Sequence, residues 1–449
     1  MLSFARTSLG NAPRLGQILE PSANSFGVLR FLMAFAVLVS HSYLYLFATP
    51  EAEPLYGWIG RSLGQCAVQV FFILSGVMVA QSFARSRSVA DFALARALRI
   101  LPGLVVCVLL TALVLGPLLT SLPLSGYFAN TGTLAYIAKT ASLSSGAAPL
   151  PGVFETVPYA GYVNSSLWTL KYEVLCYVGL ALAGLAGLFK PRWRGLAAGA
   201  LALVVVLVFA NVPERAEDFG FTDHLRYFAV FFGAGVLAYL VRDRLVLSGL
   251  ALVPLFGVFL ALINTPLQEV GSALFLGYGA LWAATKSFGP WREICNYYDT
   301  SYGIYIYAGP VQQALISAFP EIGPPALTVA TTLIVLPLAI VSWLYVERPA
   351  LALREHFGSL LPTAPKARSE PAPEPERSNW SAMVPVSVSA PLARRAAKLL
   401  RPAEVAAAEA AAAIPPELSA QAQQRLARLI GPAAAKAARP ARITRPLAV

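Results

Sequence analysis

The sequence predicts an all-α fold: a polytopic membrane helix bundle of about ten transmembrane helices, followed by a mostly disordered C-terminal tail. Three observations predict it. Of the 449 residues, 57% are hydrophobic and only 13% are charged, whereas soluble globular domains have about 25% charged residues. Long apolar runs recur along the chain up to about residue 350, and helices satisfy their own backbone amides inside lipid. Basic residues also alternate between successive loops.

Ten apolar segments are candidate membrane-spanning helices, because about 20 apolar residues cross the hydrocarbon core. They cover residues 28–47, 66–83, 100–120, 166–188, 195–210, 224–241, 246–263, 269–286, 300–318 and 325–346. Tilt or local thinning of the bilayer would accommodate the shorter ones. An odd number of spans would not fit the charges of the loops, so ten is favoured over nine or eleven.

The loop charges predict the orientation of the bundle. The N-terminal leader and the even-numbered loops carry most of the arginines and lysines, whereas the odd-numbered loops carry only Arg61, Lys139 and Arg215. Because cytoplasmic loops are enriched in basic residues, we expect a multi-pass protein of the cytoplasmic (inner) membrane with both termini in the cytoplasm. This topology accounts for the net charge of +11, and no nucleic acid partner is expected.

Composition divides the chain into a cytoplasmic leader at 1–23, a membrane domain at 24–350 and a tail at 351–449. The leader has no apolar core, so no cleavable signal peptide is expected. The tail opens with the Pro-rich, charged stretch PTAPKARSEPAPEPERSN, which predicts a low-complexity, largely disordered cytoplasmic tail. A later segment, ELSAQAQQRLARLI, has basic residues and a weak apolar face that suit anionic membrane lipid.

The longest internal loop, residues 121–165, lies outside the membrane in this topology and is rich in Pro, Gly and Ser. Long loops in compact domains often act as lids or binding loops. On the sequence alone, a plain connector is slightly favoured over such a role.

The first apolar segment carries two ionisable residues, Arg30 and His41. Eleven residues make about three helical turns, so the two side chains share one face, about 16 Å apart along the axis. Ionisable groups inside a membrane are costly and by default face a protein interior or a wet cavity. The alternatives are an interfacial anchor for Arg30 and a hydrogen-bonded packing role for His41.

Two further segments place small or basic residues at the predicted spans. FFILSGVMVAQS contains Ser75 and Gly76, a small pair that favours close packing of helices. RALR contains Arg96 and Arg99, which share a helix face and would form a two-pronged site for phosphate groups. The alternative is that these arginines only mark the cytoplasmic side.

The fourth and ninth spans open with polar side chains. SSLWTLKYEVLCY places Glu173 about 10 Å inside the outer end of its helix, near the predicted depth of His41. We expect these two side chains to meet in one cavity; the alternatives are a pair with Lys171 or a position at the surface. DTSYGIYIYAGPVQQ contains Tyr302 and Tyr305, which are candidates for substrate contact, packing or an interfacial aromatic belt. The four cysteines lack metal-ligand spacing, so no metal site is expected.

Six segments together resemble a known family. RFLMAFAVLVSH, VFFILSGVMVAQS, RALRILP, SLWTLKYEVLCY, SYGIYIYAGPVQQ and WLYVERP resemble, in order, the signature segments of the acyltransferase family 3 membrane proteins, over roughly residues 24–350. One segment is weakly specific, but six in the right order are specific. The resemblance implies an integral membrane O-acyltransferase of the O-antigen or exopolysaccharide O-acetylase type. It would move an acyl group, usually acetyl from acetyl-CoA, to a hydroxyl of a carbohydrate or another acceptor.

The resemblance also implies roles for individual residues. The family's motifs fall on Arg30 with His41, on Arg96 with Arg99, and on Glu173. It implies that His41 and Glu173 are catalytic and that the arginines bind acyl-CoA, which is a co-substrate rather than a bound cofactor. Many members have a histidine where this chain has Ala308-Gly309-Pro310, so His41 is the intramembrane histidine available for catalysis. Some members carry a hydrolase-like domain, which is not recognised here, so transfer is expected to use the membrane domain alone or a glycan-assembly partner.

The expected chemistry is direct acyl transfer. A base must take the proton of the acceptor hydroxyl, and an unperturbed histidine titrates near pH 6.5 and contributes about 10²–10⁴-fold. His41 is the expected base, with Glu173 orienting its ring. An acyl-enzyme on Ser75 or Tyr302 is the alternative, although the sequence shows no base beside either residue.

A second class of function is a polytopic transporter or flippase of a lipid-linked or acylated substrate, because intramembrane His and Glu also suit proton coupling. The ordered signature segments argue against it, as does the lack of a visible hydropathy repeat. A non-catalytic membrane scaffold would not need polar groups within its helices.

Overall fold

The computed structural model describes residues 12–358, apart from 21–22, 147, 210–219, 264 and 266. The chain divides into two compact units, Met1–Pro365 and Lys366–Val449, and every described residue lies in the first. Within these residues the regular structure is helical, with no strand and one isolated bridge between Arg14 and Val246. The predicted all-α class is confirmed for this part of the chain.

Ten principal helices coincide with the ten predicted apolar segments. They are α1 (Phe26–Phe47), α2 (Leu63–Arg85), α3 (Val89–Leu119), α4 (Leu170–Leu185), α5 (Arg194–Phe209), α6 (Phe221–Leu240), α7 (Leu252–Leu262), α8 (Gln268–Ala283), α9 (Ser301–Ala318) and α10 (Pro324–Ser342, continued by Trp343–Glu347 and Arg348–Gly358). By length and composition, α1, α2, α3 and α10 are able to cross a membrane. The other six are shorter or more polar, so ten membrane spans remain a prediction.

Local sequence sets where the helices begin. Ser62 and Gln65 form a capping box at α2, in which each side chain accepts a hydrogen bond from the other residue's amide; this satisfies two amides that the helix itself leaves unpaired. At α3, the Ser88 hydroxyl accepts from the amide of Asp91. The last helix begins with Pro324 in its first turn, where a proline removes no helical hydrogen bond.

Two π-helical turns interrupt the longest helices, Thr111–Leu115 in α3 and Trp343–Glu347 in α10. Such turns are uncommon and frequently occur at functional sites. The second turn places Trp343 and Glu347 against Arg99 of α3.

Helices α2 and α6 cross where their backbones approach most closely. A Cβ added to Gly76 would lie 2.1 Å from the carbonyl oxygen of Phe232, and one added to Gly235 would lie 2.0 Å from that of Ile73. Small residues permit this kind of close approach between membrane helices. Of the predicted Ser75–Gly76 pair, Gly76 is therefore the residue that allows the two helices to pack closely.

The N-terminal leader folds along one end of the bundle, which we call the leader face. Leu15 of the leader is fully buried. The leader, together with Ser25 just before α1, contacts even-numbered loops, and those loops contact each other. These contacts join Glu20 to Arg85, Leu15 to Leu245, Ser25 to Ala284, and Arg194 to Asp243. The leader and all four even-numbered loops thus share one face, as the charge pattern requires.

The opposite end is closed by residues 120–169, between α3 and α4, which we call the cover. It folds into two short helices, Leu124–Ala129 and Thr131–Ala141. Its last part, 163–167, is buried in the bundle. The predicted loop at 121–165 is therefore a packed part of the protein rather than a plain connector.

Helix α10 continues past residue 350, where the sequence predicted that the membrane domain would end, and reaches Gly358. Arg354 of this last part donates to both carboxylate oxygens of Asp91, each at 3.1 Å, and so ties the end of α10 to the start of α3. The predicted disordered tail beyond it, 359–449, lies outside the described residues.

Candidate active site

A cavity of about 290 Å³ lies in the half of the bundle nearer the leader face. Seven of the eight predicted site residues line it: Arg30, Ser75, Arg96, Arg99, Glu173, Tyr302 and Tyr305. The eighth, His41, does not belong to its wall. Helices α1, α2, α3, α4 and α9 all contribute residues, so the bundle brings together segments that lie far apart in the chain.

Two of the arginines share one carboxylate. Asp299, two residues before α9, accepts from Arg30 at 2.7 Å and from Arg99 at 2.7 Å. Burial alone would raise the pKa of the Asp299 carboxyl, but the two guanidinium groups outweigh burial and hold that pKa well below its usual range. Asp299 is therefore ionised and fixes both arginines at the cavity wall.

A second carboxylate stands behind Arg99. Glu347, in the π-helical turn of α10, is 1% exposed, and its Oε2 lies 3.6 Å from Arg99 Nη1. Its Oε1 accepts from the Ser342 hydroxyl at 3.1 Å. The rings of Tyr302 and Trp343 each lie 5.7 Å from the Arg99 guanidinium. Arg99 is thus held on several sides by the protein itself.

Arg96 differs from the other two arginines, because it forms no ion pair with any described residue. Its Nη2 is 3.4 Å from the Ser82 hydroxyl, and its guanidinium lies 6.0 Å from the centroid of the Tyr177 ring. Its Nε is buried and has no hydrogen-bond partner in the described part of the chain. Arg96 therefore lines the cavity without a carboxylate in direct contact among the described residues, although Glu173 of the same wall lies close enough to act on its charge.

The structure does not bring Glu173 to His41. Glu173 Oε1 accepts from Ser75 Oγ at 3.0 Å and from the hydroxyl of Tyr177, one turn further along α4. The prediction that Glu173 and His41 meet in one cavity is therefore not what the structure shows. The reason is that α4 enters the bundle beside His41 with Ser166, so Glu173 lies seven residues deeper. Ser75, for which the sequence showed no neighbouring base, has this carboxylate beside it.

Both predicted tyrosines are occupied by protein contacts. The Tyr302 hydroxyl donates to the carbonyl of Ile100 at 2.7 Å, so it is not free to act as a nucleophile. The Tyr305 hydroxyl lies 2.5 Å from that of Thr169, and both residues line the cavity. This hydroxyl pair forms the end of the cavity that is closer to His41.

His41 lies just beyond that end, beneath the cover. Its Nδ1 is 3.4 Å from the hydroxyl of Ser166, three residues before Thr169. Its ring meets Tyr45 edge to face, with centroids 5.5 Å apart. The ring is partly exposed, and Nε2 makes no hydrogen bond with a described residue. With Nδ1 directed at Ser166, Nε2 is left available to take a proton.

The cover fills the space that a larger side chain would need beside α9. A Cβ on Gly309 would lie 2.7 Å from Asn164 Oδ1 and 2.7 Å from the Tyr45 hydroxyl. Asn164 Nδ2 donates to the carbonyl of Ile306 at 2.7 Å. Ser165 donates to Tyr45 through its amide, and the two hydroxyls are 2.7 Å apart. The Ala308-Gly309-Pro310 stretch thus accommodates the cover close to His41.

The arrangement has two chemically different ends. The leader-face end offers guanidinium groups, which suit a phosphorylated ligand such as acyl-CoA. Beyond the opposite end of the cavity, beneath the cover, the His41 imidazole lies among hydroxyl groups. No group of three or more His, Cys, Asp or Glu among the described residues is placed to hold a metal ion.

Sequence reasoning missed three residues of this site: Asp299, Glu347 and Ser166. Asp299 and Glu347 stand within or beside quoted segments, in DTSYGIY and WLYVERP. A buried carboxylate needs a cation, and pairing these acids with the nearby arginines would have been the available signal. Ser166 carried no such signal, because its role depends on where α4 enters the bundle.

Comparison with known proteins places the chain among acyltransferases. The acyltransferase family 3 model, described as an acyltransferase domain, matches residues 24–346. An O-acetyl transferase of Shigella phage Sf6 is 32% identical in an alignment of 341 residues that covers 73% of this chain and 95% of that protein. Nodulation protein 10 of Rhizobium leguminosarum bv. viciae is 30% identical in an alignment of 362 residues that covers 74% of this chain and 94% of that protein. No solved structure matches the chain significantly.

Proposed function

The chain belongs to acyltransferase family 3 and is an O-acyltransferase, and we propose that it transfers an acetyl group from acetyl-CoA to a hydroxyl of a cell-surface or lipid-linked carbohydrate. By length and composition, four helices of the described part of the chain are able to cross a membrane. The grouping of the leader with the basic loops supports an inner-membrane enzyme whose leader face is cytoplasmic. The acetyl-CoA of the cytoplasm would then approach the arginine end of the cavity.

The observation that carries this proposal is the unpaired guanidinium of Arg96 in the cavity wall. Among the described residues no carboxylate contacts its donors, and a buried charge without a direct partner is costly. An anionic ligand would remove that cost, and the phosphate groups of acetyl-CoA suit a guanidinium. Arg30 and Arg99, which Asp299 neutralises in part, would add positive potential around the same ligand.

At the other end, His41 would act as general base in one direct transfer. The acceptor oxygen attacks the thioester carbonyl carbon while Nε2 of His41 takes the hydroxyl proton. The C–S bond of the tetrahedral intermediate then breaks, and the imidazolium returns the proton to the leaving thiolate. The products are the acetyl ester and free CoA. In this scheme Ser166, rather than Glu173, holds the ring at Nδ1.

Glu173 keeps a role in the cavity wall. Through its bonds to Ser75 and Tyr177, it would set the shape of the passage between Arg96 and the Thr169–Tyr305 pair. We therefore expect Glu173→Gln to reduce the rate less than a change of His41.

The test uses full-length protein in lipid nanodiscs with acetyl-CoA and a panel of 4-nitrophenyl glycosides as acceptors. His41→Ala and His41→Gln should abolish formation of the acetylated glycoside, measured by mass spectrometry, because no base remains to take the proton. Binding of acetyl-CoA, measured by calorimetry, should stay within about twofold of wild type.

His356→Gln is the matched control, since this exposed histidine lies on the last part of α10, away from the cavity. It should transfer acetyl like wild type. A His41→Ala protein that acetylates its acceptor at the wild-type rate would exclude His41 as the base.

A further inference from the structure

We propose that Tyr159 and Tyr162 of the cover form a platform that binds an uncharged sugar ring of the acceptor near His41. This inference rests on the proposed function for its reaction. The site itself rests on ring contacts, buried hydrogen bonds and the charge of the cover.

The two tyrosines form a stacked pair at the surface of the cover. Their ring centroids are 4.5 Å apart and their planes differ by 21°. Tyr162 is 41% exposed, so part of the stack is open to a ligand. Tyrosine offers an apolar ring and a polar hydroxyl, which match the C–H face and the rim hydroxyls of a pyranose.

A chain of ring contacts leads from this pair to the base. Tyr159 meets buried Tyr45 edge to face at 5.7 Å, and Tyr45 meets His41 at 5.5 Å. Tyr45 and His41 lie one turn apart on α1. A sugar chain resting on the exposed stack would therefore lie on the side of the protein where His41 is closest to the cover.

Buried glutamines fix the platform to the helix that carries the base. Gln313 of α9, with no exposed surface, donates to the carbonyls of Tyr159 and Tyr162 at 2.9 and 2.8 Å. Its neighbour Gln312 donates to the Leu38 carbonyl of α1 at 2.8 Å. Such preorganisation lowers the entropy cost of binding.

The backbone between the tyrosines also favours a fixed stack. Gly161 adopts φ +78°, a left-handed conformation that side chains other than glycine rarely adopt. Its amide donates to the carbonyl of Phe154 at 3.2 Å. This turn allows residues three apart in the sequence to stack face to face.

The charge of residues 148–166, the part of the cover that carries the stacked tyrosines, indicates an uncharged ligand; the lysine of the cover, Lys139, lies in its other part, on the helix Thr131–Ala141. Residues 148–166 contain no lysine or arginine and one acid, Glu155, whose carboxylate accepts from the Gly152 amide. Phosphate or carboxylate groups would find no cation in this segment. The cations of the site lie at the opposite end of the cavity, where they suit the donor.

The test varies Tyr162, because this exposed ring can be removed without emptying the core. In nanodiscs with acetyl-CoA and the panel of 4-nitrophenyl glycosides, Tyr162→Ala should raise the acceptor KM about five- to tenfold. The donor KM and the rate at saturating acceptor should stay within twofold of wild type. Tyr162→Phe, which keeps the ring, should restore most of the acceptor affinity.

Trp58→Ala is the matched control, since Trp58 is 85% exposed in a different loop and would belong to an interfacial aromatic belt. It should leave the acceptor KM unchanged. An acceptor KM within twofold of wild type in Tyr162→Ala, or an equal rise in Trp58→Ala, would overturn the platform.

Saturation-transfer NMR with the same glycosides separates this inference from the proposed reaction. Glycoside binding that Tyr162→Ala weakens, without any acetyl transfer by wild type, would reject the reaction and support the platform. Acetyl transfer by wild type with equal glycoside binding in wild type and Tyr162→Ala would support the reaction and reject the platform. The platform would also be rejected if the wild-type protein bound none of the glycosides.

Discussion

At the scale of single residues, the structure separates two arginines that the sequence treated as equivalent. Arg96→Ala should raise the donor KM about ten- to hundredfold, since a hydrogen bond to a charged group contributes about 1.5–3 kcal/mol. It should leave thermal stability nearly unchanged, because Arg96 has no ion-pair partner to abandon among the described residues. Arg99→Ala should also lower the melting temperature, because Asp299 and Glu347 would lose a cation.

Donor KM and melting curves in detergent check both expectations. Arg87→Ala is the control, since Arg87 is an exposed basic residue of the leader face that does not line the cavity. If Arg96→Ala leaves the donor KM unchanged in folded protein, Arg96 does not bind the donor and only helps to orient the protein in the membrane.

The sequence identified the residues of the wall better than their partners. Arg30 and Glu173 were predicted from charge inside apolar segments and Arg99 from its spacing to Arg96 just before the third span, and all three line the cavity. The partner of His41 could not be predicted, because a hydrogen bond such as that to Ser166 depends on the entry point of α4. Helical spacing alone predicted the same depth for His41 and Glu173. In the structure the chain already lies beside His41 at Ser166 and forms the 3-10 turn Leu167–Thr169 before α4, so Glu173 lies deeper in the bundle.

At the scale of elements, the crossing of α2 and α6 depends on the absence of side chains. Gly76→Ala should sharply reduce the yield of monodisperse protein and its melting temperature, because the new Cβ would meet the backbone of α6. Gly179→Ala is the control: beyond its own stretch of helix backbone, the carbon added to this glycine of α4 meets no described atom within 4 Å. Equal melting temperatures for Gly76→Ala and wild type would show that the crossing adapts.

The end of α10 gives a second prediction at this scale. A chain that stops after Gly358 should transfer acetyl at the wild-type rate. A chain that stops after Glu347 should lose most activity, because it lacks Leu351 of the cavity wall and the Arg354–Asp91 pair. Rates from equal amounts of inserted protein measure this difference. Loss of activity in the longer chain would mean that the tail acts on the bundle.

Helix positions followed from apolar runs, and all ten predicted segments carry a helix. Helix ends were less predictable, since α10 continues through Leu351 and Arg354 after the composition has turned polar. A helix can continue through charged residues when their side chains pair with a neighbouring helix, as Arg354 pairs with Asp91. That pairing is a long-range contact, which local composition does not contain.

At the scale of the whole molecule, the even-numbered loops lie together at the leader face. Arg61, in an odd-numbered loop, has its partner elsewhere: it donates to Glu269 at the start of α8 at 2.6 and 2.8 Å. We predict that Lys139→Cys is labelled by an impermeant thiol reagent in intact cells and that Arg192→Cys is protected. The four native cysteines are first replaced. The opposite pattern would invert the topology. Arg215, also expected outside, lies beyond the described residues.

The sharing of Asp299 by Arg30 and Arg99 has a genetic consequence. Removal of either arginine changes the environment of the other, so the two substitutions should show strong epistasis and combine non-additively. A screen of single mutants would score Arg30, Arg99 and Asp299 as three independent positions, whereas in the molecule they form one ion-paired group. Among natural variants, the residues at 30, 99 and 299 should therefore change together or not at all.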